Sequence, residues 1–241
     1  MGIGPFAVQR LIENEKAGVF RNKRNVLQLG RQDIGLVDMC NEFLASNDLK
    51  EITLASGIRN ADIELFNSLG FLDVQSLDVS SYEFSSIVHD LNKPIPDEFK
   101  GKYDFVFDGG TIEHIFDIRM ALENITHLLA EDGVVIHSSP MHNYVDHGFY
   151  SFSPTLFMDY YLVNKWEIES CSIHEQQRDG RVSWKWFKYE TGILDDLTYG
   201  GFNSSIWGIW FIARKTSETT VGETPQQGYY SRMRSWSSGR R

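Results

Sequence analysis

Short apolar runs alternate with amphipathic segments along most of the chain. The strongest run is 103–107, apolar at four of its five positions and typical of a strand buried on both faces of a sheet. The other runs predict strands at 25–29, 74–77, 86–89, 134–137, 166–171 and 206–212. Apolar residues at helical spacing predict helices at 36–44, 61–69, 118–129 and 151–164. This alternation favours an α/β fold, in which helices cover both faces of a parallel sheet.

The interval between the first two strands leaves the position of the second one open. If the second strand ends at Asp78, this aspartate lies much farther from Gly30 than the ~20 residues that separate the glycines from the ribose-binding acid in a dinucleotide fingerprint. We expect the helix at 61–69 to fill the interval. The alternative is that 51–54 forms the second strand and that Asp78 has another role.

The pattern predicts one main domain with extensions at both ends. We expect 1–24 to be an N-terminal helical lead-in, 25–214 the domain and 215–241 a flexible tail. The stretch 174–203 is rich in Trp, Tyr, Gly and charge and is too long for a turn, so we expect an insert that covers the sheet or the site. The basic and aromatic stretch 229–234 is expected to be solvated, with a partner contact as the alternative.

Composition narrows the class of protein. The 241 residues are 41% apolar and 23% charged, which is ordinary for a globular domain. A net charge of −10 argues against nonspecific binding to nucleic acid. The two cysteines are isolated, no secretion signal opens the chain, and no apolar run reaches the roughly 20 residues of a membrane span. We therefore expect a cytoplasmic protein; its oligomeric state is not predicted.

Ligand-binding residue types follow four of the predicted strands. In an open parallel sheet, ligands bind beyond the carboxyl ends of the strands. Gly30 allows close approach of the backbone, Asp78 suits the hydroxyls of a ribose, and Asp90 suits the amine of an adenine. Asp108 follows the strongest strand. Together they predict a site for an adenosine-containing cofactor, although each aspartate alone is also typical of a turn or a helix start.

The segment after the strongest strand is the most specific signal. Gly109 and Gly110 directly follow a buried strand, which indicates that a ligand or another backbone comes close. Glu113 and His114 come next, and His114 is a candidate general base. The alternative is that His114 only packs under the next helix. Because the histidines show no ligand spacing within one helix, no metal is expected.

A second polar cluster occupies the loop at 138–150, after another predicted strand. Two histidines, an acid and aromatic residues in one loop at a strand end predict an acceptor site. His147 is a candidate base, and Tyr150 would shape the pocket. The alternative is a purely structural loop.

These segments resemble the class I S-adenosylmethionine-dependent methyltransferases. The stretch 107–117 resembles the motif after the fourth strand in the small-molecule branch, where a Glu-His pair follows the strand, and 128–136 resembles the segment that leads into the fifth. More narrowly, four stretches resemble a bacterial subgroup of that superfamily, namely 29–33, 76–83, 89–96 and 147–154.

The resemblance implies a Rossmann-like three-layer sandwich with a mostly parallel seven-stranded sheet and an antiparallel last strand. It implies S-adenosylmethionine as the cofactor and a small-molecule or glycan acceptor that is methylated on O or N. The predicted cofactor-binding residues are Gly30, Arg31, Gln32, Asp78, Val79, Asp90, Leu91, Asp108, Gly109 and Gly110. The predicted catalytic residues are His114, His147 and Tyr150, and the predicted acceptor-binding residues are Glu113, His142, Asn143 and Phe149.

Two rival functions follow from the same sequence. A non-catalytic binding protein could keep the fold, and the glycine-poor loop 29–35 favours that alternative. A nicotinamide-dependent oxidoreductase would need Gly-x-Gly-x-x-Gly after the first strand, where only Gly30 and Gly35 are present. It is therefore the weakest of the three.

Overall fold

The computed structural model describes residues 2–53, 60–176, 184–228 and 230. The α-helices are α1 (Pro5–Lys16), α2 (Val37–Ala45), α3 (Ala61–Ser68), α4 (Ile118–Leu128) and α5 (Pro154–Val163). The strands are β1 (Gly2–Ile3), β2 (Asn25–Leu29), β3 (Asp33–Ile34), β4 (Asp73–Asp78), β5 (Ile87–Val88), β6 (Tyr103–Asp108), β7 (Leu129–His142), β8 (Glu167–Gln176), β9 (Lys185–Lys188) and β10 (Ile206–Arg214).

Eight of these strands form one sheet in the order β5-β4-β2-β6-β7-β10-β8-β9 within the described residues. The strands from β5 to β7 in this order are parallel, and β10 runs antiparallel to both β7 and β8. The predicted fold class, mostly parallel with a reversed last strand, is confirmed. The strand beyond the predicted seven is β9, which lies within the predicted insert 174–203 and pairs antiparallel with β8.

The sheet separates two apolar cores. On one face α4 and α5 pack against Val106 and Val135, and on the other α1, α2 and α3 pack against Phe105 and Phe107. Neighbouring residues of β6 therefore point into opposite cores, as the alternation of side chains along a strand requires. Burial on both faces explains why this strand has so few polar residues.

The helix at 61–69 resolves the position of the second strand. Residues 51–53 are not in a strand, and α3 occupies the interval before β4. Because β4 pairs in parallel with β2, Asp78 and Gly30 come to the same edge of the sheet. The prediction of an extra helix is confirmed.

The N-terminal residues reach across the same edge. The predicted lead-in contains α1, and β1 pairs in parallel with β3, with Gly2 opposite Asp33 and Ile3 opposite Ile34. This short sheet places the start of α1 beside the loop that follows β2.

Much of the predicted tail is held against the domain. The Lys215 ammonium donates to the carbonyls of Thr126 and Leu129, and the Gly228 amide donates to Asp159 at 2.7 Å. The basic and aromatic stretch 229–234 lies outside the described residues except for Tyr230. Among the described helices, none has both the length and the apolar character that crossing a membrane requires.

Candidate functional site

Two cavities open at the carboxyl edge of the sheet, on either side of the segment 109–115. Cavity A measures about 180 Å³ and is lined by Gly30, Leu77, Asp78, Val79, His89, Leu91, Thr111, His114 and Ile115. Cavity B measures about 370 Å³, within the usual range for small-molecule sites. The residues that line cavity B are Gly2, Gly4, Pro5, Phe6, Ala7, Gly35, Leu36, Gly109, Gly110, Glu113, Ser138, Ser139, Pro140, Tyr144, His147, His174, Gln176 and Trp184.

Cavity A brings together residues that the sequence predicts for the adenosine part of a cofactor. Gly30 has a φ of +68°, a conformation that favours glycine, and its amide donates to the Leu77 carbonyl at 2.7 Å. One oxygen of the half-buried Asp78 carboxylate accepts from the Ser80 amide at 3.1 Å. The other oxygen accepts no hydrogen bond from a described residue. Asp78 therefore has free acceptor capacity facing the cavity.

Glu113 is the most unusual acid at the site. It lies on a short 3-10 helix, Ile112–His114, and its side chain is only 1% exposed. Burial, and secondly the nearby charge of Asp108, raise the pKa of Glu113 to about 8. Its Oε2 atom has no hydrogen-bond partner among the described residues. A buried, unsatisfied carboxyl group of this kind is typical of functional sites.

The two predicted histidines both lie close to the Glu113 carboxyl group. The Glu113 Oε1 atom lies 3.9 Å from His114 Nε2 and 3.7 Å from His147 Nε2. The imidazole rings lie 5.2 Å apart between centroids. Burial, and secondly the charge of His147, lower the pKa of His114. His114 lines cavity A and His147 lines cavity B, so the cluster straddles the wall between them.

Asp108 lies beneath this wall and does not line either cavity. Its Oδ2 atom bonds to His137 Nδ1 at 2.7 Å, and His137 Nε2 bonds to the Tyr161 hydroxyl at 2.6 Å. Its Oδ1 atom accepts from the amides of Thr111 and Ile112 at 2.9 and 3.3 Å. The carboxylate thus holds the segment 109–115 in place, and its predicted contact with a cofactor stays a prediction.

Gln32 and Arg31 also bond within the protein. Gln32 is buried and donates to the Leu29 carbonyl at 3.0 Å. A Cβ atom on Gly109 would lie 2.6 Å from Gln32 Oε1, so this close packing requires the glycine. Arg31 forms an ion pair of 3.0 Å with the buried Asp62. Neither residue lines cavity A or cavity B.

The two residues predicted for adenine binding have different positions. Asp90 accepts from the Asn92 amide at 3.0 Å and from its side chain at 2.8 Å, and these bonds lower the pKa of Asp90. The turn interpretation therefore describes the Asp90 side chain. Leu91 lines cavity A, and its contact with the adenine stays a prediction.

Of the residues in the loop 138–150 that were predicted for catalysis or acceptor binding, His147 lines cavity B, whereas His142, Asn143, Phe149 and Tyr150 line neither cavity A nor cavity B. The Tyr150 hydroxyl donates to the Phe116 carbonyl at 2.7 Å, and Phe149 packs edge-on against the Phe116 ring at 5.5 Å. Asn143 donates to the Ser205 carbonyl at 2.6 Å. His142 packs against the Phe202 ring at 5.4 Å. These side chains join the loop to neighbouring segments. Their assignment to the acceptor site and, for Tyr150, to catalysis stays a prediction.

Four aromatic residues of cavity B were predicted only as members of the loop 138–150 or of the insert 174–203, or, in the case of Phe6, were not predicted. Phe6, Tyr144, His174 and Trp184 give it an aromatic wall. His174 stacks on Trp184 with centroids 4.0 Å apart and planes 5° apart, and burial lowers the pKa of His174 to about 3. The many Trp and Tyr residues of the insert 174–203 indicated that it contributes aromatic side chains. Nothing in the sequence indicated that Phe6 joins it, because that contact depends on the pairing of β1 with β3.

The structure is similar to solved methyltransferases. A protein of Galdieria sulphuraria assigned as a sarcosine dimethylglycine methyltransferase is 12% identical, with a TM-score of 0.50 over 86% of this chain and 85% of that one. The 1,6-didemethyltoxoflavin-N1-methyltransferase of Burkholderia thailandensis, solved with its substrate and S-adenosylhomocysteine, is 13% identical over 88% and 80%, with a TM-score of 0.49. An S-adenosylmethionine-dependent methyltransferase of Archaeoglobus fulgidus is 14% identical over 86% and 93%, with a TM-score of 0.48.

No protein-family model and no curated protein matches the sequence. At these identities the likeness to solved structures concerns the fold. The chain therefore has the fold of the class I S-adenosylmethionine-dependent methyltransferases.

Proposed function

We propose that this protein transfers a methyl group from S-adenosylmethionine to an oxygen or nitrogen of a small-molecule or glycan-type acceptor. One observation carries the proposal. Gly30 and Asp78 line cavity A on one side of the segment 109–115, and Glu113 and His147 line cavity B on its other side. A site for the adenosine and a site with proton-accepting groups are thus separated by one short stretch of backbone.

The residues of cavity A fit an adenosine group. The free oxygen of Asp78 can accept from the ribose hydroxyls, and Val79 and Leu91 offer apolar contacts to the adenine. Gly109 and Gly110 line cavity B, where their backbone can approach the reacting end of the molecule closely. The narrower resemblance to a bacterial subgroup stays a prediction.

S-adenosylmethionine, when bound, supplies a methyl group on a positively charged sulfur, which keeps the electron pair of the broken carbon–sulfur bond. The protein then has to align the acceptor atom and exclude water. Residues 4–7 and Trp184 line cavity B, where they help to exclude water. His147 and His114 are the groups that can take the acceptor's proton, with a typical benefit of ~10²–10⁴-fold in rate.

The wall of cavity B favours an acceptor with a flat or ring-shaped body. Phe6, Tyr144 and Trp184 offer aromatic faces, and Gln176 donates to the Tyr144 hydroxyl at 2.6 Å. Aromatic faces bind planar rings and the apolar faces of sugars by stacking. Both acceptor classes are consistent with this wall.

Thermal unfolding with saturating S-adenosylmethionine, S-adenosylhomocysteine or NAD tests the cofactor. A ligand at a hundred times its Kd stabilises the folded state by ~2.7 kcal/mol. For a domain of this size, that raises the Tm by about 5–10 °C. We expect this shift with the two adenosyl compounds and none with NAD. No shift with any of them would favour the non-catalytic alternative.

Asp78→Asn tests the placement of the cofactor in cavity A. Loss of a charged acceptor should raise the Kd for S-adenosylhomocysteine about 10–100-fold in titration calorimetry, since hydrogen bonds to charged groups contribute ~1.5–3 kcal/mol. Asp73→Asn is the matched control, because Asp73 lies at the opposite end of β4. Equal affinities in the two variants would contradict the placement.

A further inference from the structure

Glu113, His114 and His147 form a cluster at the wall between the two cavities. One carboxylate oxygen and one nitrogen from each imidazole all lie within 4.8 Å of one another. The distances from Glu113 Oε1 to the histidine Nε2 atoms, 3.7 and 3.9 Å, are too long for hydrogen bonds. The three groups therefore face a common gap and do not bond to one another.

A neighbouring pair provides a comparison, because it is a carboxylate and an imidazole that do form a hydrogen bond. Asp108 and His137 are both fully buried, and their carboxylate and imidazole atoms lie 2.7 Å apart. Glu113 is nearly as buried, yet its distances to the histidines are about an ångström longer and its Oε2 atom has no partner among the described residues. Burial favours the protonated form of Glu113 unless a nearby positive charge compensates the carboxylate. A cation in the gap would compensate it.

We propose that Glu113, His114 and His147 bind one divalent transition-metal ion, such as Zn²⁺ or Mn²⁺. Metal–ligand bonds of ~2.0–2.2 Å place ligand atoms up to about 4 Å apart, which accommodates both distances from Glu113. The imidazoles are 37% and 45% exposed, so they have room to turn towards a common ion. Two imidazoles and one carboxylate favour a transition metal over Mg²⁺ or Ca²⁺, which prefer oxygen ligands.

Three protein ligands leave at least one coordination position open. Because Glu113 and His147 line cavity B, an acceptor hydroxyl in that cavity can take the open position. An ion at this position would lower the pKa of the coordinated hydroxyl, which would then pass its proton to a water molecule and attack the methyl group through its oxygen. In the metal-bound protein the histidines are ligands and this hydroxyl no longer needs a base. This role rests on the proposed function, whereas metal binding itself does not.

Equilibrium dialysis of chelator-treated protein against Zn²⁺ or Mn²⁺ alone tests the site. We expect one bound ion per wild-type chain and at least tenfold weaker binding by His114→Ala, His147→Ala and Glu113→Gln. The last variant keeps the size of the buried side chain and removes its charge. His127→Ala is the control, because His127 lies on the last turn of α4, at the opposite edge of the sheet. Thermal unfolding confirms that each variant is folded.

Wild-type affinity in His147→Ala or Glu113→Gln would overturn the proposal, as would equal loss in His127→Ala. The dialysis contains no methyl donor. If no metal binds, the thermal shift with S-adenosylmethionine still tests the proposed methyl transfer independently. Conversely, metal binding without that thermal shift would support the metal site and remove the proposed methyl transfer.

Discussion

The buried polar residues at this site differ in whether hydrogen bonds satisfy their side-chain atoms. Asp108 is fully buried and accepts bonds from His137 and two amides, so its charge is satisfied inside the protein. Glu113 is equally enclosed but keeps an unpaired oxygen. His174 is buried as well, and its Nδ1 atom has no partner among the described residues. Glu113 and His174, which have unpaired atoms, line cavity B and are available to a ligand. Asp108, whose hydrogen bonds are satisfied, lies beneath the cavity and stabilises the fold.

His174 predicts an acid sensitivity. The folded protein keeps it neutral down to about pH 3, while the unfolded chain binds a proton near its ordinary pKa of 6.5. Unfolding therefore takes up a proton below pH 6.5, and stability falls as the pH decreases. Between pH 7.5 and 5, wild type should lose roughly 2 kcal/mol more than His174→Phe in urea denaturation, since one pKa unit corresponds to ~1.4 kcal/mol. Parallel loss in both proteins would contradict this origin.

At the scale of elements, α3 is attached to the sheet by a buried polar contact. Asp62, on the first turn of α3, accepts from Gln28 on β2 at 2.9 Å and pairs with Arg31 in the following loop. Burial raises the pKa of Asp62 and the Arg31 charge opposes that rise. One carboxylate thus joins the helix, the strand and the loop at the edge of the site.

Asp62→Ala should destabilise the protein by about 3–5 kcal/mol, because it removes the buried carboxylate that pairs with Arg31 and accepts from Gln28. Chemical denaturation measures the change. Glu42→Ala, on an exposed position of α2, should change stability by less than ~0.5 kcal/mol. A loss below 1 kcal/mol in Asp62→Ala would show that the pair contributes little to the attachment.

The elements were predictable where burial imposes a local pattern. The apolar runs of β2 and β6 and the helical spacing of α3 and α4 each fix an element without reference to the rest of the chain. The loop 138–150 has no such pattern. Whether its side chains face a cavity depends on the position of Phe116 and Ser205, which are distant in sequence. For the same reason, the approach of His147 to Glu113 could not be predicted.

At the scale of the whole molecule, the segment 215–228 closes the chain against α4 and α5. Asn164 is fully buried at the end of α5 and is the central contact. Its side chain donates to the carbonyls of Tyr160 and Glu223 at 2.9 and 3.1 Å and accepts from the Glu223 amide at 3.0 Å. A stretch that the sequence indicated to be a flexible tail thus contributes to the stability of the domain.

Asn164→Ala should reduce the free energy of unfolding by about 2–3 kcal/mol, because it leaves buried polar groups of the backbone without partners. Hydrogen exchange should also accelerate at the Glu223 amide, which loses its acceptor. Glu218→Ala is the control, since its side chain is exposed in the same segment. Unchanged exchange at Glu223 would mean that the segment is held by other contacts.

The position of 109–115 between the cavities has a thermodynamic consequence. Its residues contribute to both walls, with Glu113 on one side and His114 on the other. A ligand that shifts this segment from one side alters the affinity on the other side. Linkage then requires the effect to be reciprocal: the factor by which the first ligand changes the Kd of the second equals the factor by which the second changes the Kd of the first. A single coupling free energy, carried by these seven residues, would describe the effect in both directions.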